Sequence, residues 1–108
     1  MKKLLISALA ISAMSTSIYA AGCVATGCFD VKITKLYMTA GGTLYVGTSG
    51  NEASLNCTLD GDYMSLKEGD VGKNAMYSLL LTAKTTNKKV NIRIQEGTAD
   101  CRVLYVTD

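Results

Sequence analysis

The sequence predicts a mainly β domain carrying one α-helix, and three observations lead there. Between Ala75 and Gln95 the apolar period changes: Ala75, Met76, Leu79, Leu80 and Ala83 recur at helical spacing, whereas Val90, Ile92 and Ile94 alternate with Asn91, Arg93 and Gln95. The other segments beyond residue 28 alternate or are irregular, with glycine-containing turns between them. Four cysteines, with no histidine, tryptophan or proline in 108 residues, fit a small oxidised domain and remove the commonest catalytic base.

The first strand is expected at Phe29–Tyr37. Phe29, Val31 and Ile33 alternate, and the pattern then slips so that Leu36 and Met38 carry the apolar positions, which predicts a β-bulge near Thr34 or Lys35. Ala40-Gly41-Gly42 supplies a tight turn into a second strand, Thr43–Thr48, because glycine accepts the positive φ of hairpin turns. Ser49–Glu52 reads as a polar loop and Ala53–Leu59 as a third strand holding Cys57. Asp60–Gly72 is expected to be a loop of some extended character, although Asp60-Gly61 could also turn into a short strand at Tyr63–Leu66.

The helix should run from Gly72 or Asn74 to Thr86, with Asp70 or Asn74 as N-cap and Asn87 in the left-handed position that ends it. Lys84 and Lys88 suit the negative end of its dipole. Val90–Gln95 is the fourth strand, Glu96–Asp100 a turn, and Cys101–Val106 the fifth strand. Three strands, a helix and two strands is the order of an OB-fold-like five-stranded Greek-key barrel, with the helix between strands three and four. In such a barrel the third strand lies beside the fifth, which would bring Cys57 near Cys101.

Residues 1–20 have two lysines, an apolar run from Leu4 to Met14 and a closing alanine, the pattern of an export signal cut after Ala20. The apolar run is shorter than the roughly 20 residues of a spanning helix and is interrupted by Ser7 and Ser12, so no integral membrane span is expected. Ala20–Cys23 also fits, loosely, a lipidation box ending in Cys23. Removing the first 20 of 108 residues leaves a single domain, 21–108, and takes Lys2 and Lys3 with it. Nine basic residues then face nine acidic ones. That neutrality speaks against a nucleic-acid partner. Of the three possible pairings, Cys23 with Cys28 and Cys57 with Cys101 are expected as disulfides. The spacing does not suit the paired C-x-x-C knuckles of zinc sites.

No catalytic residue, metal ligand or cofactor is assigned. Asp60 with Asp62, and Glu68 with Asp70, are the available carboxylate pairs, but both sit in glycine-containing turns and miss the EF-hand calcium pattern. The candidate ligand surface is the loop Gly47–Glu52, where Thr48, Ser49, Asn51 and Glu52 offer hydroxyl, amide and carboxylate groups to sugar hydroxyls. Tyr37, Tyr45, Tyr63, Tyr77 and Tyr105 are read as core and rim packing that could also stack on a sugar.

The helix "MYSLLLTAKTTNKK" running directly into "VNIRIQ", after the hairpin "VKITKLYMTAGGTLYVGT" and a cysteine-bearing segment, resembles the B subunits of subtilase cytotoxin and its typhoid- and pertussis-type relatives over Val31–Val106. The resemblance implies an exported, non-enzymatic OB-fold protein that forms a homopentameric ring, binds cell-surface glycans and has an A subunit as partner. It carries over no sugar-binding residue at Cys28–Lys32, where the tyrosine and serine of the family are missing. The alternative expectation is a stand-alone periplasmic or surface protein of the same fold that binds another protein, as an inhibitor or assembly factor.

Overall fold

The computed structural model describes residues 21–108, so the predicted export signal and its cut after Ala20 lie outside the described residues. The domain is mainly β with one helix and two antiparallel sheets that do not close into one ladder. Its elements are β1 Gly22–Val24, β2 Gly27–Val31, β3 Ile33–Met38, β4 Leu44–Thr48, β5 Met64–Leu66, α1 Lys73–Thr86, β6 Val90–Ile94 and β7 Val103–Thr107. The four-stranded sheet has the order β1-β2-β6-β7 and the three-stranded sheet the order β3-β4-β5.

Seven strands replace the expected five for two physical reasons. Gly22–Val24 folds back on β2, placing Cys23 directly opposite Cys28, and the two are joined as a disulfide. Lipidation of Cys23 would need that same sulfur. The expected single strand Phe29–Tyr37 is instead divided at Lys32, and its halves serve different sheets: β2 pairs with β6 and β3 with β4. Asp30 turns the chain here with φ 55°, and Lys32 exchanges bonds with Ser49, donating its N–H to Ser49 Oγ and accepting from the Ser49 N–H. Val31 and Ile33 are both buried across the bend. The predicted bulge is present, since the β3–β4 register shifts between Ile33 and Lys35.

The turn at Ala40–Gly42 is as predicted, with Gly42 at φ 90° and its N–H bonded to the Thr39 carbonyl. The third-strand expectation needs correction. Ala53–Leu59 is no strand: Glu52–Ser54 forms a 3-10 turn, and Cys57 follows in irregular chain. The segment that pairs with β4 is Met64–Leu66, with Leu44 opposite Leu66 and Val46 opposite Met64, all four fully buried. Alternation in a three-residue strand is too brief to outweigh the flanking glycines and acids when read locally, whereas two buried cross-strand pairs decide it in the fold.

Helix α1 ends as expected, with Asn87 left-handed at φ 58° and its N–H directed to the Ala83 and Lys84 carbonyls. Its start differs from expectation. Gly72 occupies the N-cap position at φ 84° without a side-chain cap, because the Asp70 carboxylate is engaged by the Lys67 N–H and by Arg102. Leu80 and Ala83 are its buried residues, and the helix packs on β3 and β7. The last strand begins at Val103, two residues later than predicted, after Cys101 turns at φ 43°.

The two sheets meet at one parallel bridge, Ser65 with Arg102, supported by the Ser65 N–H bonded to the Cys101 carbonyl and Ser65 Oγ to the Asp100 carbonyl. Beside it the Cys57–Cys101 disulfide holds Cα atoms 5.0 Å apart. The core between the sheets and α1 is built on Leu44, Val46, Met64, Leu66, Leu80 and Ile92. Gly27 is required by close approach: a Cβ there would lie 2.2 Å from the Ile92 carbonyl oxygen of the neighbouring strand. Gly27→Ala is therefore expected to lower the unfolding free energy by about 2 kcal/mol, measured by urea titration of the oxidised domain. An unchanged midpoint would show that β2 and β6 can separate freely.

Candidate functional site

The loop after β4 is bound largely to itself. Thr48, 8% exposed, donates both its N–H and its Oγ1 hydroxyl to Glu52 Oε2, and its Oγ1 accepts the Gly50 N–H at 3.1 Å. Ser49 Oγ accepts the Lys32 N–H, and Asn51 Oδ1 accepts the Ala53 N–H and so caps the 3-10 turn. These bonds explain why the chain leaves β4 in a turn and not in another strand. They bring all four predicted ligand residues together and engage Thr48 Oγ1, Ser49 Oγ, Asn51 Oδ1 and Glu52 Oε2; among the described residues Glu52 Oε1, the Asn51 amide N–H groups and the Ser49 hydroxyl hydrogen have no such bond.

A denser arrangement lies on the outer face of the three-stranded sheet. Tyr37 and Tyr45 are direct cross-strand partners, and Tyr63 precedes β5 on the same side. The three rings meet edge to face, with centroids 5.0 Å apart for Tyr37–Tyr45, 5.7 Å for Tyr37–Tyr63 and 6.3 Å for Tyr45–Tyr63. Gly47 makes this contact possible: a Cβ at that position would lie 3.0 Å from Lys35 Cβ and 3.2 Å from the Tyr63 ring. Lys35 and Lys67 each place Nζ 5.9 Å from a ring centroid, of Tyr37 and Tyr45 respectively. Tyr37 is 40% exposed and the other two rings are half-buried.

An ionic border runs along one side. The Tyr45 hydroxyl donates to Asp60 Oδ2 at 3.0 Å, and Lys67 Nζ reaches the same oxygen at 3.2 Å. Asp60 and Tyr63 exchange backbone bonds around the Gly61-Asp62 turn, so one tight turn positions both a ring and the carboxylate beside it. Further along, Arg102 binds Asp100 at 2.9 Å and Asp70 at 2.8 Å. The Tyr45 phenol, and secondarily Lys67, hold the Asp60 carboxyl below its ordinary value; the bond to Asp60 raises the Tyr45 phenol.

Two pH effects follow. Asp60 contributes stability at pH values above its unfolded-state pKa near 4, and that contribution is lost as the pH falls through the lower folded value. The raised Tyr45 phenol acts at the other end, where its contribution is fully present below the unfolded-state value of 10.0 and is lost as the pH rises through the higher folded value. In Tyr45→Phe the Asp60 midpoint is expected to move up toward the ordinary carboxylate range, stopping short of it because Lys67 remains. Carboxyl-carbon NMR titration reads this directly, and an Asp60 midpoint unmoved by the substitution would rule out the phenol as the main cause.

The other sequence candidates are dispersed. Tyr77 packs against the core, and Tyr105 lies 44% exposed on the other sheet. Glu68 approaches Lys73 at 3.8 Å, Asp70 belongs to Arg102, and among the described residues no cluster of His, Cys, Asp and Glu is arranged to hold a metal. A cleft of about 430 Å³ opens at the start of α1 between Glu68 and Ala75, with Lys73 held by the Gly42 carbonyl at 2.6 Å. No helix among the described residues is long and apolar enough to cross a membrane. No protein-family model, curated protein or solved structure matches the chain.

Proposed function

We propose that this is an exported, non-enzymatic binding protein that takes a glycan on the Tyr37–Tyr45–Tyr63 face. The observation carrying this reading is the gathering of three tyrosine rings and two lysines on one outer sheet surface. A pyranose ring presents a face of C–H groups that suits an aromatic surface, while its hydroxyls suit phenols and ammonium groups. The two disulfides favour an oxidising compartment.

An OB-like reading of the scaffold supports the same surface. If β2 and β3 count as one bent strand, then that strand, β4, β5, α1, β6 and β7 follow the five-strand order with the helix between the third and fourth. The parallel bridge Ser65–Arg102 falls where the third and fifth strands of such a barrel meet. The tyrosines then lie around strands one to three, and the face of strands two and three is where OB-folds recognise oligosaccharides. Thr48, Ser49, Asn51 and Glu52 shape the turn that leaves this sheet. The homopentameric ring and A-subunit partner implied by the toxin resemblance belong to the same proposal.

A panel of immobilised neutral and acidic oligosaccharides, probed with the oxidised domain 21–108, tests the reading. Wild type should be retained, and Tyr37→Ala should weaken retention at least tenfold with the unfolding midpoint preserved. Retention that survives loss of both Tyr37 and Tyr63 would sink the site. A second reading, with a protein as ligand, is favoured by the exposure of Leu104 at 53% and Tyr105 at 44% on β7, an edge strand. Absence of glycan binding together with a stoichiometric protein complex blocked by Leu104→Lys would select it.

A further inference from the structure

We propose a second ligand site, on the outer face of the four-stranded sheet, in which Arg93 receives the carboxylate of a flat organic acid. Val90, Ile92 and Ile94 point into the core, which sends Asn91 and Arg93 to the opposite face of β6. Arg93 stands directly between Gly27 on β2 and Tyr105 on β7. On its Gly27 side the neighbouring strand has no side chain, and the Phe29 ring leans over the gap, its Cζ 3.0 Å from where a Gly27 Cβ would be. Tyr105 flanks the other side and is 44% exposed.

The charge of Arg93 is unmatched among the described residues. The ion pairs found there use Lys67, Lys73, Lys88, Lys89 and Arg102. Arg93 Nε is buried without a hydrogen-bond partner, and it is the one side-chain polar atom among the described residues in that state. Arg102 shows the contrast within the same fold: two carboxylates hold its guanidinium. Nε is covered by its surroundings, so the terminal N–H groups of this half-buried side chain are the donors a carboxylate approaches, and a negative charge beside them offsets the cost of the desolvated N–H. The planar fork of donors fits a carboxylate best, and the flanking Phe29 and Tyr105 rings fit a flat apolar body attached to it. This face belongs to the other sheet from Tyr37, Tyr45 and Tyr63, so the site stands independently of the glycan reading.

The experiment is an NMR titration of the oxidised domain with benzoate, using benzamide as the neutral isostere. Benzoate should shift the Arg93 Nε–Hε resonance and the Phe29 and Tyr105 ring protons saturably, at least tenfold more tightly than benzamide, and leave the Tyr45 ring unmoved. Arg93→Gln should weaken benzoate at least tenfold, with Arg93→Lys between the two. If Arg93→Gln fails to fold, the benzoate–benzamide ratio in wild type and the Arg93→Lys value decide. No saturable shift, equal affinity for the two probes, or benzoate binding unaffected by either substitution would overturn the proposal.

Discussion

Replacing Cys57 and Cys101 together by alanine is expected to lower the unfolding free energy by about 4 kcal/mol. The cysteines are 44 residues apart, and freeing that length of chain raises the entropy of the unfolded state far more than it disturbs the folded one. For a domain of this size, whose whole stability is on the order of 5–15 kcal/mol, such a loss is a large fraction. The link also joins two irregular segments, which otherwise hold to each other through the Thr58 N–H to the Thr98 carbonyl, the Gly97 N–H to the Asn56 carbonyl and the Asn56 side-chain amide to Glu96 Oε2. Alanine is the right replacement because Cys101 is fully buried and serine would bring a hydroxyl into the core. Urea unfolding under non-reducing conditions should show the midpoint falling and the m-value rising, since the uncrosslinked chain unfolds further. The Cys23–Cys28 bond closes a loop of only five residues' separation, so the matching Cys23→Ala, Cys28→Ala variant should lose about half as much. Equal losses from the two pairs would contradict the entropic account.

Leu80→Ala is expected to cost about 3 kcal/mol. Leu80 is fully buried and is one of the two buried residues of α1; the other, Ala83, is small. Much of the remaining helix surface faces solvent, and a 14-residue helix is marginal in water by itself. The helix is therefore held to the sheets mainly through Leu80, with partly buried Met76 and Tyr77 beside it. Circular dichroism during urea unfolding should show the helical signal of Leu80→Ala lost at lower denaturant than wild type. Leu81→Ala, at a position 40% exposed, is the control and should change stability by less than about 1 kcal/mol. A loss of similar size in both variants would mean that α1 is not anchored as described.

Much of this fold was legible one segment at a time. The change of period between Ala83 and Val90 located α1 and β6, and Asn87 marked the helix end because asparagine tolerates the left-handed conformation it adopts at φ 58°. The slip between Ile33 and Leu36 located the bulge, and both cysteine pairs were legible from the short Cys23–Cys28 spacing, which leaves Cys57 with Cys101. The third strand was not. Ala53–Leu59 alternates as well as many strands do, but Thr48 and Asn51 direct the chain into a turn through bonds with Glu52 and Ala53. Cys57 reaches Cys101 all the same, from a loop.

The site was only half legible. The sequence reads Tyr37 and Tyr45 as core and rim packing that could also stack on a sugar, and whether the two meet depends on a register that the bulge shifts by one residue. Tyr63 joined them only because Met64–Leu66 pairs with β4; the sequence offers a short strand there after the Asp60-Gly61 turn, but three residues do not distinguish it from the favoured loop.

By itself the chain determined whatever depends on a residue and its near neighbours: helix or strand period, the left-handed stop at Asn87, the glycine turn after β3. The tertiary structure decided the division of one strand between two sheets, the meeting of three tyrosines, and the lack of a counter-charge for Arg93 among its described neighbours. Backbone preference acts over a few residues. Register and partnership are settled only when segments tens of residues apart bury their apolar faces together.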